Sequence, residues 1–138
     1  MIRSESIRFE TTGDGHIVDL TERVATAIDV SGIKEGLVSV CAVGSTAAVT
    51  TIEFEPGLQR DLPDLMQKLI PSGASYEHDK TWGDGNGYAH LRSALIGTSF
   101  TTAVSEGRPL LGTWQQIVFL EFDNRPRQRS VRVQIIGE

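Results

Sequence analysis

Seven consecutive residues, Leu37-Val38-Ser39-Val40-Cys41-Ala42-Val43, constrain the fold most. The run is almost wholly apolar and rich in β-branched side chains, and far too short to cross a membrane as a helix. It predicts a strand covered on both faces. Gly44-Ser45-Thr46 interrupts it, and Ala48 to Glu55 resumes as a second strand until Pro56-Gly57 breaks it.

The same grammar recurs near the C-terminus. Ser99 to Val104, Thr113 to Phe122 and Ser130 to Ile136 read as strands, separated by turns at Glu106-Gly107-Arg108-Pro109 and Asp123-Asn124-Arg125-Pro126. At the other end, Ser6 to Thr11 alternates around Ile7 and Phe9. Gly13-Asp14-Gly15 then turns the chain and His16 to Leu20 returns, which predicts an N-terminal hairpin. Helical spacing appears after Thr21, an N-cap candidate, with Val24, Ala27 and Ile28 on one face and Ser31-Gly32 as the stop. A second helix is expected from Asp61 or Leu62, with Leu62, Leu65, Met66 and Leu69 on one face and Pro71 ending it. A third runs from Ala89 to Ile96 and closes at Gly97. Many strands joined by tight turns, with two or three helices, predict an α+β domain over residues 1–138 with a mixed or mostly antiparallel sheet.

Charge and cysteine content narrow the function. A formal net charge of −5 lacks the surplus of Lys and Arg that a general nucleic-acid binder needs. The first residues have no apolar core of the signal-peptide kind, and nothing approaches the roughly 18 apolar residues of a membrane helix. Cys41 is the single cysteine, so no intrachain disulfide forms, and inside its apolar run it reads as a buried thiol. A cytoplasmic protein acting on a small molecule, or binding another protein, is the expectation.

Ser72 to Tyr88 is polar, glycine-rich and long for a plain connection, the kind of loop that usually carries function. Tyr76 and Trp82 within it are expected to pack. Two histidines frame this stretch, His78 and His90, with Asp79 and Asp84 close by. Neutral imidazole is the commonest protein ligand for zinc-like ions, and catalytic sites usually take three protein ligands, so the pair supplies most of a metal site. The alternative is that both histidines hydrogen-bond loop backbone. Gln115 and Glu121 fall on one strand face with Ile117 and Phe119; if buried, they need polar partners. Glu53 is an acid late in its strand. Arg125, Arg127, Arg129 and Arg132 either meet phosphate or charge an edge strand against unwanted pairing, and the edge reading is preferred. No nucleophile elbow, P-loop or dinucleotide fingerprint is present.

Three blocks together resemble the YjbQ-like family, whose members are often labelled secondary thiamine-phosphate synthases. They are Ser45-Thr46-Ala47-Ala48-Val49 with Glu53, Tyr76 through His78-Asp79 and Trp82-Gly83-Asp84-Gly85-Asn86 to His90-Leu91-Arg92, and Leu111-Gly112-Thr113-Trp114-Gln115-Gln116. The resemblance implies a small α+β fold assembled as a homotrimer, with a histidine-lined pocket able to hold a divalent ion, zinc-like or magnesium. It carries His78 and His90 as metal ligands, and Glu53, His90, Asp84 and Gln115 as catalytic candidates. Ser45, Thr46, Asn86, Arg92 and Trp114 would meet the ligand. Gly44 stands where relatives usually carry a histidine, and Tyr88 where many carry another. Losing one imidazole of three weakens a metal site unless an acid or water substitutes, and Gly44 equally enlarges the pocket for a different ligand. Three functions follow: a synthase-like transfer needing a cation and Arg92 on phosphate, a metal-assisted hydrolysis with Glu53 as base, or ligand binding without turnover.

Overall fold

A computed structural model describes residues 1–138. In chain order the elements are β1 (Ile2–Thr11), β2 (Ile17–Asp19), α1 (Thr21–Ser31), β3 (Gly36–Ala42), β4 (Ala47–Ile52) and α2 (Pro56–Leu69). Then follow α3 (Glu77–Trp82), α4 (Gly87–Ile96), β5 (Ser99–Ser105), β6 (Arg108–Pro109), β7 (Gln116–Glu121) and β8 (Arg127–Gly137). The strands form a five-stranded sheet, β1-β8-β3-β5-β6, and a three-stranded sheet, β2-β7-β4. All pairings are antiparallel, so the α+β expectation holds, with four helices rather than two or three.

The strand pattern places the core. Val38, Val40 and Ala42 of β3 and Val131, Val133 and Ile135 of β8 face inward, against Ile117 and Phe119 of β7 and Val24 and Ile28 of α1. On the other side of the small sheet, Ala48, Val118 and Leu120 pack with Met66 of α2 and Tyr88 and Ala89 of α4. The apolar run from Leu37 is covered on one face only. Leu37 is 50% exposed, and Ser39 and Cys41 are half-buried on the outer face, so this strand alternates where continuous burial was expected.

The N-terminal hairpin does not form. β1 pairs along its whole length with β8, from Ile2 opposite Ile136 to Thr11 opposite Arg127, whereas β2 pairs with β7 in the other sheet. A ten-residue strand finds enough partners in the long β8 and not in the three residues of β2. For the same reason β8 is no edge: β1 and β3 flank it. Its inward Arg129 is buried and its outward Arg132 is exposed, which overturns the reading of these arginines as an edge guard.

Helix starts also differ from the sequence reading. α1 is capped by Leu20, not Thr21; the Thr21 hydroxyl instead accepts the Ile117 N–H at 2.9 Å and donates to Asp19 at 2.7 Å. Its end at Gly32, in the left-handed region, is as expected. α2 begins at Pro56, five residues early, because the Glu55 carboxylate accepts the N–H groups of Gly57 and Leu58 at 2.8 and 2.5 Å. Proline in a first turn lacks only an N–H that would have had no helical partner. Of its expected apolar face only Met66 is buried; Leu65 and Leu69 stay exposed.

Beneath the turn after β7 lies a buried ionic network. Arg129 Nε donates to both oxygens of Glu121, at 3.0 and 3.1 Å, and Glu121 also accepts the Thr11 hydroxyl at 2.6 Å. Asp123 is paired with Arg127 and accepts the Thr46 hydroxyl and the Asn124 N–H. Burial alone would raise the Asp123 pKa, but the Asn124 N–H, Asn86 and Arg127 outweigh it and lower the pKa.

Candidate functional site

The histidines frame two consecutive short helices. α3 carries His78 and Asp79 and ends at Gly83, whose left-handed conformation turns the chain through Asp84 and Asn86 into α4, which carries His90. Tyr76, half-buried, anchors the start by donating its hydroxyl to the Pro71 carbonyl at 2.6 Å. Trp82 does not pack; it is 73% exposed. Asp79 Oδ1 accepts the Gly87 N–H at 2.9 Å, drawing the two helices together. Only glycine fits there: a Cβ on Gly87 would come within 2.9 Å of Tyr76 Cβ and 3.3 Å of His78 Cβ. From the far side, Asn124 Nδ2 donates to the Asp84 carbonyl at 2.8 Å.

Folded this way, the corner brings the imidazoles together, with ring centroids 4.5 Å apart and planes tilted by 46°. The donor atoms do not group as the sequence suggested. His78 Nδ1 lies 3.8 Å from Asp79 Oδ1 and 3.6 Å from Asp84 Oδ1, and the ligand atoms of these three residues all fall within 4.8 Å of one another. His90 packs against the His78 ring outside this trio. Nδ1 of His78 is buried and has no hydrogen-bond partner. A buried polar atom without a partner is costly, and a cation shared with the two carboxylates would satisfy it. Two donors about 2.1 Å from a tetrahedral ion stand roughly 3.4 Å apart, so the His78 spacings suit such an ion. Asn86 extends the rim: its amide donates to Asp123 at 3.4 Å, and when turned over it donates to the Asp84 carboxylate at 3.1 and 3.3 Å.

Beside His90 opens a shallow depression of about 340 Å³ lined by Gly44, Ser45, His90, Ser93 and Thr98 among others. Ser45 is exposed at its rim, while Thr46 is buried behind it, accepting from Arg129 Nη2 at 2.8 Å.

The remaining candidates lie elsewhere. Arg92 is 1% exposed; its Nε donates to the Ile70 carbonyl and its Nη1 to Asp14, each at 3.0 Å, and its guanidinium lies over the Tyr88 ring. Burial raises the Asp14 pKa despite this arginine. Burial likewise pushes the Tyr88 phenol up to about 12, with Asp14 adding to the shift and Arg92 opposing it. Arg92 is thus a structural cation rather than a surface for phosphate. Gln115 bridges the Gly112 N–H and the Thr51 hydroxyl, and Trp114 beside it is 71% exposed. These two and Glu53 sit where Ile52 pairs with Gln116, past the far end of β4 from Ser45 and Thr46. Six strand residues at about 3.3 Å each put that end roughly 20 Å away, so within one chain Glu53 does not join the imidazoles. Glu121 has the polar partners its burial demanded, in Arg129 and Thr11. Asp123 and Asn124, which brace the corner, were read from sequence only as turn formers.

Two antiparallel sheets with a paired-helix corner of half-exposed imidazole and carboxylate define a small α+β protein with one polar, cation-compatible site. The chain belongs to the family described as UPF0047 protein YjbQ-like, whose profile matches residues 5–138. A UPF0047 protein of Archaeoglobus fulgidus is 41% identical over 120 residues, covering 87% of this chain and 90% of the relative. One of Methanocaldococcus jannaschii is 36% identical, covering 95% and 92%. The crystal structure of a YbjQ-like protein of unknown function from Sulfolobus solfataricus superposes with a TM-score of 0.90 at 30% identity over the full length of both chains. A hypothetical protein of Aeropyrum pernix gives 0.86 at 34% identity, over 97% of this chain and 99% of its own.

Proposed function

We propose that this protein holds one divalent ion, zinc-like or magnesium, on His78, Asp79 and Asp84, and acts on a small phosphorylated or carbonyl compound bound in the adjoining depression. The observation that carries this reading is the partnerless His78 Nδ1 facing two carboxylates. When bound, such an ion polarises a ligand oxygen or the water that attacks it. The chain's own part is to position that ion through the Gly87 N–H on Asp79 and Asn124 on the Asp84 backbone. His90 makes no side-chain hydrogen bond and borders the depression, so it, rather than Glu53, is within reach to take or give a proton. The synthase-like transfer is the less favoured reading, because Arg92, its phosphate partner, is committed to Asp14 and Ile70.

We also propose that the chain works as a cytoplasmic homotrimer. No helix is long and apolar enough to cross a membrane. The outer face of the five-stranded sheet carries a cross-strand apolar row, Ile2, Ile136, Leu37 and Ala103, that no helix covers. Light scattering should report about three times the 15.1 kDa chain mass, and Leu37→Glu should lower it; a single-chain mass at micromolar concentration removes the trimer. For the ion, calorimetric zinc titration should give one site per chain that weakens at least about tenfold in His78→Ala. Unchanged affinity in that variant would discard the assignment.

A further inference from the structure

Position 44 has no side chain, and what lies behind it is a cation. A Cβ on Gly44 would come within 3.1 Å of Arg129 Nη1. Arg129 is 7% exposed, and its other two nitrogens are engaged: Nε with both oxygens of Glu121, Nη2 with Glu121 and Thr46. Nη1 donates to nothing in the chain. A guanidinium carries its donors in a fixed fork, so holding two nitrogens inward fixes where the third points.

The turn in front of it is equally unengaged. The backbone N–H groups of Gly44, Ser45 and Thr46 make no hydrogen bond within the chain, although Val43 N–H before them and Ala48 and Val49 after them belong to the sheet ladder or bond to neighbouring backbone. The Ser45 hydroxyl and the His90 imidazole, both on the depression, are also without partners in the chain. Consecutive free N–H groups beside an arginine are how proteins cradle oxyanions. Local charge does not forbid this, because Glu121 and Asp123 are neutralised by Arg129 and Arg127.

We propose that the Gly44-Ser45-Thr46 turn, backed by Arg129 Nη1, is an oxyanion subsite that takes the phosphate group of a small phosphorylated compound. A phosphate offers three oxygens to this set of donors, more than a carboxylate's two. The subsite rests on the proposed function for the depression as the place where the compound binds, yet it needs no metal and is separable from the His78 assignment.

The test uses inorganic phosphate on metal-free, chelator-treated protein, followed by NMR of the arginine side-chain nitrogens. Phosphate should shift the Arg129 guanidinium signals saturably. Gly44→Ala, which sets a methyl against Nη1, should weaken that binding at least about fivefold while the melting temperature falls little. His78→Ala should leave it unchanged, so failure of the metal reading and failure of this one are told apart. Absence of saturable binding overturns the proposal. So does phosphate binding that leaves Arg129 unshifted, or that Gly44→Ala does not alter, since surface arginines such as Arg8 and Arg132 would then be responsible.

Discussion

Two charged clusters meet at Asp123, and they are built on opposite plans. Around Glu121 and Arg129 the charges are buried and paired within the chain, carboxylate with guanidinium and hydroxyl with carboxylate, leaving over only Arg129 Nη1. At the corner between α3 and α4 the groups are half-exposed, two carboxylates face one imidazole at more than hydrogen-bond distance, and a ring nitrogen is left without a partner. The first arrangement balances its own charges and serves to fix the turn after β7. The second leaves His78 Nδ1 without a partner in the chain. Asp123 links them, accepting from Arg127 and Thr46 on one side and Asn86 on the other.

The contrast breaks most visibly at Glu121. Glu121→Ala leaves the Arg129 guanidinium buried without its counter-ion, which costs about 3–5 kcal/mol. In thermal melts that is a fall on the order of 10 °C. A fall of less than about 2 °C would mean the network reorganises as freely as the corner does. The neighbouring Asp123 has a lowered pKa, so its contribution is present above the unfolded value near 3.8 and fades as pH falls through the folded one.

A smaller effect is expected at Tyr88, whose phenol stays protonated to about pH 12 against an unfolded value of 10.0. A raised acid favours the fold while protonated. Its contribution is therefore complete below pH 10 and disappears as pH climbs toward 12, a change on the order of 2 kcal/mol. Urea unfolding across that range should show the decline in the native chain, and Tyr88→Phe should flatten it. An identical decline in the phenylalanine variant would assign the effect to other groups.

The smallest change should come from His78→Ala. Because its Nδ1 has no internal partner, removal should shift unfolding free energy by no more than about 0.5 kcal/mol in chelator-treated protein. A loss above about 2 kcal/mol would make the corner a structural cluster like the other, and the contrast would vanish.

Much of this layout can be read from residues alone, for reasons that are local. Apolar alternation in β8, the Ser31-Gly32 stop of α1 and the turn chemistry before β8 each act within a few residues. What escaped depends on partners distant in the chain. Gly13-Asp14-Gly15 does turn the chain, but which strands lie on either side of β1 is decided by the length of β8, more than a hundred positions away. α3 has no buried residue, so no apolar spacing announced it. The site was half legible. His78, Asp84, Asn86 and His90 meet because two glycine-turned helices are consecutive, whereas Glu53, Gln115 and Trp114 lie beyond the other end of β4. Arg92 looked available because nothing in a helix sequence states which face lies under Asp14 and Ile70.

The pairing of β1 with β8 has a bearing on biogenesis. Residues 127–137 fill the gap between β1 and β3, so the larger sheet stays split until they have left the ribosome. Nascent β1 meanwhile waits with a bare edge, a state in which newly made neighbours on one message can pair strands across chains. Slow translation of residues 127–137 should therefore favour pairing between neighbouring chains over self-closure.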